Sequence, residues 1–273
     1  MRILIEPSAE QAVSRTVGLI AEQMHRNPAS VLGLATGGTM EAVYAGLIEA
    51  HRAGGLSFAG ARSFNLDEYV GLSGAHPQSY RHYMQDRLFR HVDFPRGATH
   101  LPRGDAEDPV AAAQQYEARI AAEGPIDLQL LGLGTNGHIG FNEPTSSLAS
   151  RSRVTCLAPS TLEANSRFFG PGEPQPGTAI TMGIGTILEA RRIVLLATGA
   201  AKAEAAAAMI EGPLSAFCPA SALQMHTDAT VVLDEAAAAR LTQRAFYLWV
   251  ARQDPDGGLF RPRPHGRMTP VAN

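Results

Sequence analysis

The stretch GLGTNGHIGFNE, from Gly132 to Glu143, removes side-chain bulk and keeps chemistry: Gly132, Gly134, Gly137 and Gly140 surround Asn136, His138, Asn142 and Glu143. A histidine on such a loop suits a proton shuttle, because unperturbed imidazole titrates near ~6.5, and the carboxylate that follows can orient its ring. The competing reading is a structural histidine in a turn. A second acidic word, Asn65-Leu66-Asp67-Glu68-Tyr69, sets adjacent carboxylates after a short strand ending at Asn65. In extended backbone they face opposite sides, so one can reach a crevice as a base while the other is solvated, capped or paired. Taken alone, the pair favours a helix cap or metal ligand over a catalytic base.

Two further words suit an anion. In VLGLATGGTM a buried-type strand ends in Thr36, Gly37, Gly38 and Thr39, and a helix begins near Met40. Glycines there let backbone N–H groups converge, the helix N-terminus adds positive potential and the threonine hydroxyls add donors; a plain tight turn is the alternative. In this loop no Gly-Lys-Ser/Thr follows and no Gly-x-Gly-x-x-Gly is formed, so it lacks the usual ATP and dinucleotide signatures. In RRIVLLATGAAKAEA, Lys202 stands at the start of a helix, where the dipole disfavours a cation unless an anion shares the crevice. Surface solubility competes with that account, although Lys202 is the lone lysine among 23 basic residues.

Elements must hold these loops. Short apolar runs at Ile3 to Ile5, Val31 to Ala35, Ile126 to Leu131, Ile193 to Thr198 and Ala229 to Leu233 read as strands. Between them, Ser8 to Arg26, Ala111 to Ala122 and Ala200 to Ile210 read as helices, with a final helix around Ala236 to Val250. Strand–helix alternation predicts an α/β, Rossmann-like open sheet, mostly parallel, with helices on both faces and ligands beyond the carboxyl ends of its strands. Residues 1–253 read as one domain and 254–273, with four prolines and little apolar content, as a flexible tail.

Composition narrows the function. At 273 residues, 45% apolar and 18% charged, the chain can bury a core, which excludes general disorder. A net charge of −3 gives no field to draw in nucleic acid or an anionic membrane. Cys156 and Cys218 stand far apart, as small hydrophobes in a reducing compartment would. The MRILIEP start reads as a strand rather than a leader and no run of 18 apolar residues occurs, so a cytoplasmic protein is expected. The nine histidines show no clear metal-ligand cluster, so no metal is expected.

The words LATGGTMEAVYAGL, FNLDEYVGL followed by HPQSY, GLGTNGHIGFNEPTSSLASRSRV and ANSRFF resemble the glucosamine-6-phosphate deaminases, within the wider sugar-phosphate isomerase and 6-phosphogluconolactonase superfamily. The likeness spans roughly Met1 to Val250. It implies a Rossmann-like fold and conversion of glucosamine 6-phosphate to fructose 6-phosphate and ammonia, with an amino-sugar phosphate as the partner molecule and no cofactor. By matched position it implies Asp67 as the base at C2, His138 as the ring opener and Glu143 as its carboxylate partner. Thr36, Gly37, Gly38, Thr39, Gly137, Arg167 and Lys202 match substrate- or phosphate-holding positions. Asn136 stands where some members carry aspartate, leaving the histidine one carboxylate partner rather than two.

In some relatives N-acetylglucosamine 6-phosphate binds at an interface through the SSLASR region and a basic pair. Ser146, Ser147 and Arg153 match that region, whereas Thr155 replaces a lysine, and a homo-oligomer is one option beside a monomer. Galactosamine 6-phosphate is the alternative substrate. A lactonase would share the Gly-His loop but not the FNEP and NLDEYVGL words, and a sugar-phosphate sensor would be expected to carry a helix-turn-helix segment ahead of the first strand.

Overall fold

The computed structural model describes residues 1–167, 169–170 and 172–254. The tail expected at 254–273 lies outside them from residue 255 onward. Seven strands build the main sheet: β1 (Arg2–Glu6), β2 (Val31–Leu34), β3 (Arg62–Asn65), β5 (Thr99–His100), β6 (Leu128–Gly132), β9 (Ile193–Ala197) and β10 (Ala229–Asp234). Three more, β4 (Asp67–Tyr69), β7 (Arg153–Cys156) and β8 (Thr178–Thr181), form a small antiparallel sheet in the order β4-β8-β7. The main sheet runs β1-β10-β9-β6-β2-β3-β5, and every pairing in it is parallel.

Apolar strands explain the pattern. Val31–Leu34, Ile193–Ala197 and Ala229–Asp234 are buried along their whole length, as strands covered on both faces must be. Burying one such Leu, Ile or Val side chain stabilises the fold by about 1.5–3 kcal/mol. The chain moves outward from β2 through β3 to β5, then returns to β6 and builds the other way. Crossovers of one hand, the right-handed rule for parallel strands, place helices on both faces when the chain moves in opposite directions, and the order reverses between β2 and β6.

Three of the helices start where a capping side chain satisfies their first amides. α1 (Ala9–Arg26) is capped by Ser8, whose hydroxyl accepts from Gln11 N. α4 (Pro109–Glu123) has Asp108 accepting from Val110 and Ala111, with proline at its first position. α2 (Gly38–Arg52) follows Gly37, and α3 (Tyr80–Arg87) is capped by Ser79. α5 (Pro159–Ser166), α6 (Ile184–Leu188) and α7 (Ala203–Ile210) are short.

The final helix departs from expectation. α8 covers Arg244–Gln253, whereas Ala236 to Arg240 form a turn. Glu211 accepts from Thr242 N, Thr242 Oγ1 and Gln243 N, holding those amides away from a helical ladder. Among the described residues no helix is long and apolar enough to cross a membrane.

Candidate active site

The order reversal opens a crevice at the carboxyl ends of β2 and β6, a cavity of about 420 Å³. On the β2 side, Thr36, Gly37, Gly38 and Thr39 line it. Gly37 has φ +107 and caps α2, a conformation that disfavours any Cβ. Two tyrosines fix this loop from behind: Tyr44 donates to Ala35 O, and Tyr83 donates to Gly37 O at 2.9 Å. Met40 N donates to Gly37 O at 3.0 Å, so the amides of Gly38 and Thr39, which line the crevice, are the ones at the start of α2 left for an anion.

Two cations join that cradle. Lys202 closes the 3₁₀ turn Ala200–Lys202 after β9 and caps α7, and Arg167 follows α5. Both line the crevice. Burial and the neighbouring Arg167 guanidinium push the Lys202 ammonium below its ordinary range. Like charges brought together in a half-buried place call for an anion between them. Asp234, at the end of β10, holds the loop by accepting from Gly199 N with both oxygens at 3.0 Å.

Asp67 lies at a seam. Leu66 N donates to Leu34 O in the main sheet, Met182 N donates to Leu66 O, and the next residue opens β4 opposite Thr181. The carboxylate is thereby enclosed by both sheets and 5% exposed. Among the described residues no donor reaches it. Burial, and then the charge of Glu68, push its pKa up to about 8. Glu68 points the other way and accepts from Tyr69 N, Tyr80 N and Arg81 N, each at 2.9 Å, so it caps α3. The two carboxylates thus divide as extended backbone requires, one into the crevice and one onto a helix.

His138 sits on the loop after β6 and lines the crevice. A Cβ at Gly134 would stand 2.4 Å from three ring atoms, so the imidazole lies against the bare Gly134 backbone. His138 Nδ1 is 3.3 Å from Glu143 Oε2, off the line of a good hydrogen bond. Asn136 does not touch the ring: its amide donates to Glu143 Oε2 at 2.8 Å and its carbonyl accepts from His138 N at 3.2 Å. Glu143 Oε1 accepts from Thr161 Oγ1 at 2.5 Å and Ala158 N at 3.3 Å. Burial alone would raise the Glu143 pKa, but His138, Thr161 and Asn136 together lower it to about 2.

The crevice gathers Thr36, Gly37, Gly38, Thr39, Asp67, His138, Arg167 and Lys202, with Glu143 and Asn136 behind the imidazole. Gly137 is not on the lining. Its N–H is spent on Gly134 O, its φ is +84, and a Cβ there would meet Cys218 Sγ at 2.8 Å. Ser146 and Arg153 sit together elsewhere, the guanidinium donating to Ser146 Oγ and Asn142 Oδ1, while Ser147 Oγ accepts from Ala149 N. Sequence reasoning missed Tyr80, Thr161 and Asn165 on the lining. The HPQSY and ANSRFF words contain Tyr80 and Asn165, whereas Thr161 carried no signal beyond standing early in a helix. Phe168 of ANSRFF is outside the described residues.

A bare buried carboxylate and a carboxylate-backed imidazole, facing an anion cradle in one crevice, define an acid–base enzyme for a small phosphorylated substrate. The chain belongs to the family of glucosamine-6-phosphate isomerases and 6-phosphogluconolactonases, whose profile matches residues 6–232. It is 56% identical over 247 residues to a glucosamine-6-phosphate deaminase of Shewanella loihica, covering 90% of this chain and 92% of that one. A protein of the same name from Rhodopirellula baltica is 57% identical over 245 residues, covering 90% and 98%. A solved structure described as a monomeric glucosamine-6-phosphate deaminase superposes with a TM-score of 0.86 at 44% identity, covering 88% of this chain and 100% of that one. A 6-phosphogluconolactonase from Trypanosoma cruzi shares the fold, with a TM-score of 0.73 at 22% identity and coverage of 88% and 97%.

Proposed function

We propose that this crevice converts glucosamine 6-phosphate and water to fructose 6-phosphate and ammonia. The observation that carries the reading is the bare, buried Asp67 carboxylate in the same crevice as the His138–Glu143 pair. The name shared by the relatives supports it.

The amides and hydroxyls of Thr36 to Thr39, with Lys202 and Arg167, hold the phosphate, so binding energy away from the reacting carbons positions C1 and C2. His138 takes the C1 hydroxyl proton and returns it to the ring oxygen, which opens the pyranose. Glu143 stays ionised throughout and stabilises the imidazolium that forms. The free aldehyde acidifies the C2 hydrogen, and Asp67 removes that proton while the electron pair moves toward the C1 carbonyl oxygen. A carboxylate held at a pKa of about 8 is a far stronger base than an exposed one. Return of the proton at C1 leaves an imine at C2; water adds there and ammonia departs, so atoms and charges balance. The substrate's own aldehyde is the electron sink, so the step asks for no organic cofactor.

The test incubates the protein with glucosamine 6-phosphate and, separately, galactosamine 6-phosphate, and measures ammonia and ketose 6-phosphate together. Equal amounts of both products from the glucosamine substrate are expected. Absence of ammonia would overturn the reading, and preference for the other sugar would move it to the C4 epimer.

A further inference from the structure

We infer that Thr161 is a positioning residue for the His138–Glu143 pair: its hydroxyl occupies one oxygen of Glu143 and so reserves the other for the imidazole. The inference rests on the deamination reading above.

An ionised carboxylate accepts at about four lone-pair sites, and Glu143 has four donors around it. Thr161 Oγ1 and Ala158 N, both at the start of α5, share Oε1. Asn136 Nδ2 and His138 Nδ1, both from the loop after β6, approach Oε2. Each oxygen therefore belongs to one element. The hydroxyl is not spent on capping its own helix, since Ala158 caps α5 without a side-chain bond and the Thr161 backbone amide returns to Ala158 O. Thr161 is buried, so no water replaces its donor easily. The titratable group facing Glu143 is His138; the donors from α5 and Asn136 are neutral. Placing Glu143 at the N-terminus of an eight-residue helix adds a favourable dipole for the anion.

With Oε1 released, the carboxylate can rotate and its charge is held less firmly. The imidazolium that forms during ring opening then loses part of its partner. Substrate binding is not expected to change, because the threonine-glycine loop and Lys202 are untouched.

Thr161→Val keeps shape and removes the donor; Thr161→Ser keeps the donor. In the ammonia-release assay Thr161→Val should lower kcat about tenfold, the scale of one charge-assisted hydrogen bond, with KM within about twofold. The acid limb of its kcat–pH profile should move to lower pH, because the imidazolium has lost part of its partner, and Thr161→Ser should restore both. NMR titration of the His138 ring protons reads the same coupling without turnover, moving to lower pH in Thr161→Val only. Unchanged kcat and titration in Thr161→Val would overturn the inference, as would equal losses in both variants, which would assign the effect to packing of the methyl group. Absence of ammonia from the wild-type protein would fail the reaction reading alone, and the NMR titration would still decide Thr161.

Discussion

Asp67 and Glu143 are 5% and 7% exposed, and burial drives each toward its neutral form, yet one is pushed up to about 8 and the other lowered to about 2. The difference lies in the donors. Glu143 is surrounded by Thr161, Ala158, Asn136 and His138, whereas among the described residues no donor reaches Asp67 and the charge that acts on it is the like charge of Glu68. A carboxylate deprived of donors becomes a base able to take a proton from carbon. One saturated with donors becomes a fixed anion that orients and stabilises a cation. Two acids of similar exposure therefore take opposite parts, and the backbone sets which is which.

Asp67→Asn breaks the comparison most severely. Ammonia release should fall by about 10³-fold or more, at the upper end of what a general base contributes. Stability should move the other way. The folded pKa lies above the unfolded value, so the native state holds the extra proton and its stability falls as pH rises from about 4 to about 8. The asparagine variant lacks that penalty and should be the more stable at pH 9, by on the order of 6 kcal/mol at most at ~1.4 kcal/mol per pKa unit, which a higher thermal midpoint reads. Equal midpoints at pH 9 would show that Asp67 is not strained by its burial.

Gly134→Ala attacks the other half by geometry. The new methyl would stand 2.4 Å from the imidazole, so the ring must leave its place beside Glu143. A fall in kcat of about 10²-fold, the lower range for a lost proton shuttle, is expected in the ammonia-release assay with the fold retained. Wild-type turnover would show that His138 works from another position.

Asn136→Asp sharpens the comparison with the smallest change. It replaces a donor to Glu143 by a second negative charge near the imidazole. The kcat–pH profile should shift to higher pH by about 0.5–1 unit, as a nearby carboxylate favours the protonated ring. Coincident profiles for the variant and wild type would remove Asn136 from the account.

Much of this was readable before any coordinates. Val31 to Ala35, Ile193 to Thr198 and Ala229 to Leu233 agree with β2, β9 and β10 to within a residue, because short apolar runs that end in turn residues have few other uses. The loops at their ends followed from glycine and threonine chemistry. The small sheet was not readable. Asp67–Tyr69, Arg153–Cys156 and Thr178–Thr181 are short, partly polar segments whose pairing is decided by tertiary contact alone. That same sheet buries Asp67, so the word NLDEYVGL could suggest a base without revealing why it is a strong one. The alanines from Ala236 onward misled for a related reason: side chains captured backbone amides there, Asp234 that of Ala237 and Glu211, distant in the chain, those of Thr242 and Gln243.

The pairing of β1 with β10, which sets Arg2 beside Thr230, has a consequence for the chain during its synthesis. The segments bearing Asp67 and His138 are complete long before β10 exists, yet β1 must wait for β10 to be paired. Through that interval β1 presents unpaired backbone to whatever strand is nearest.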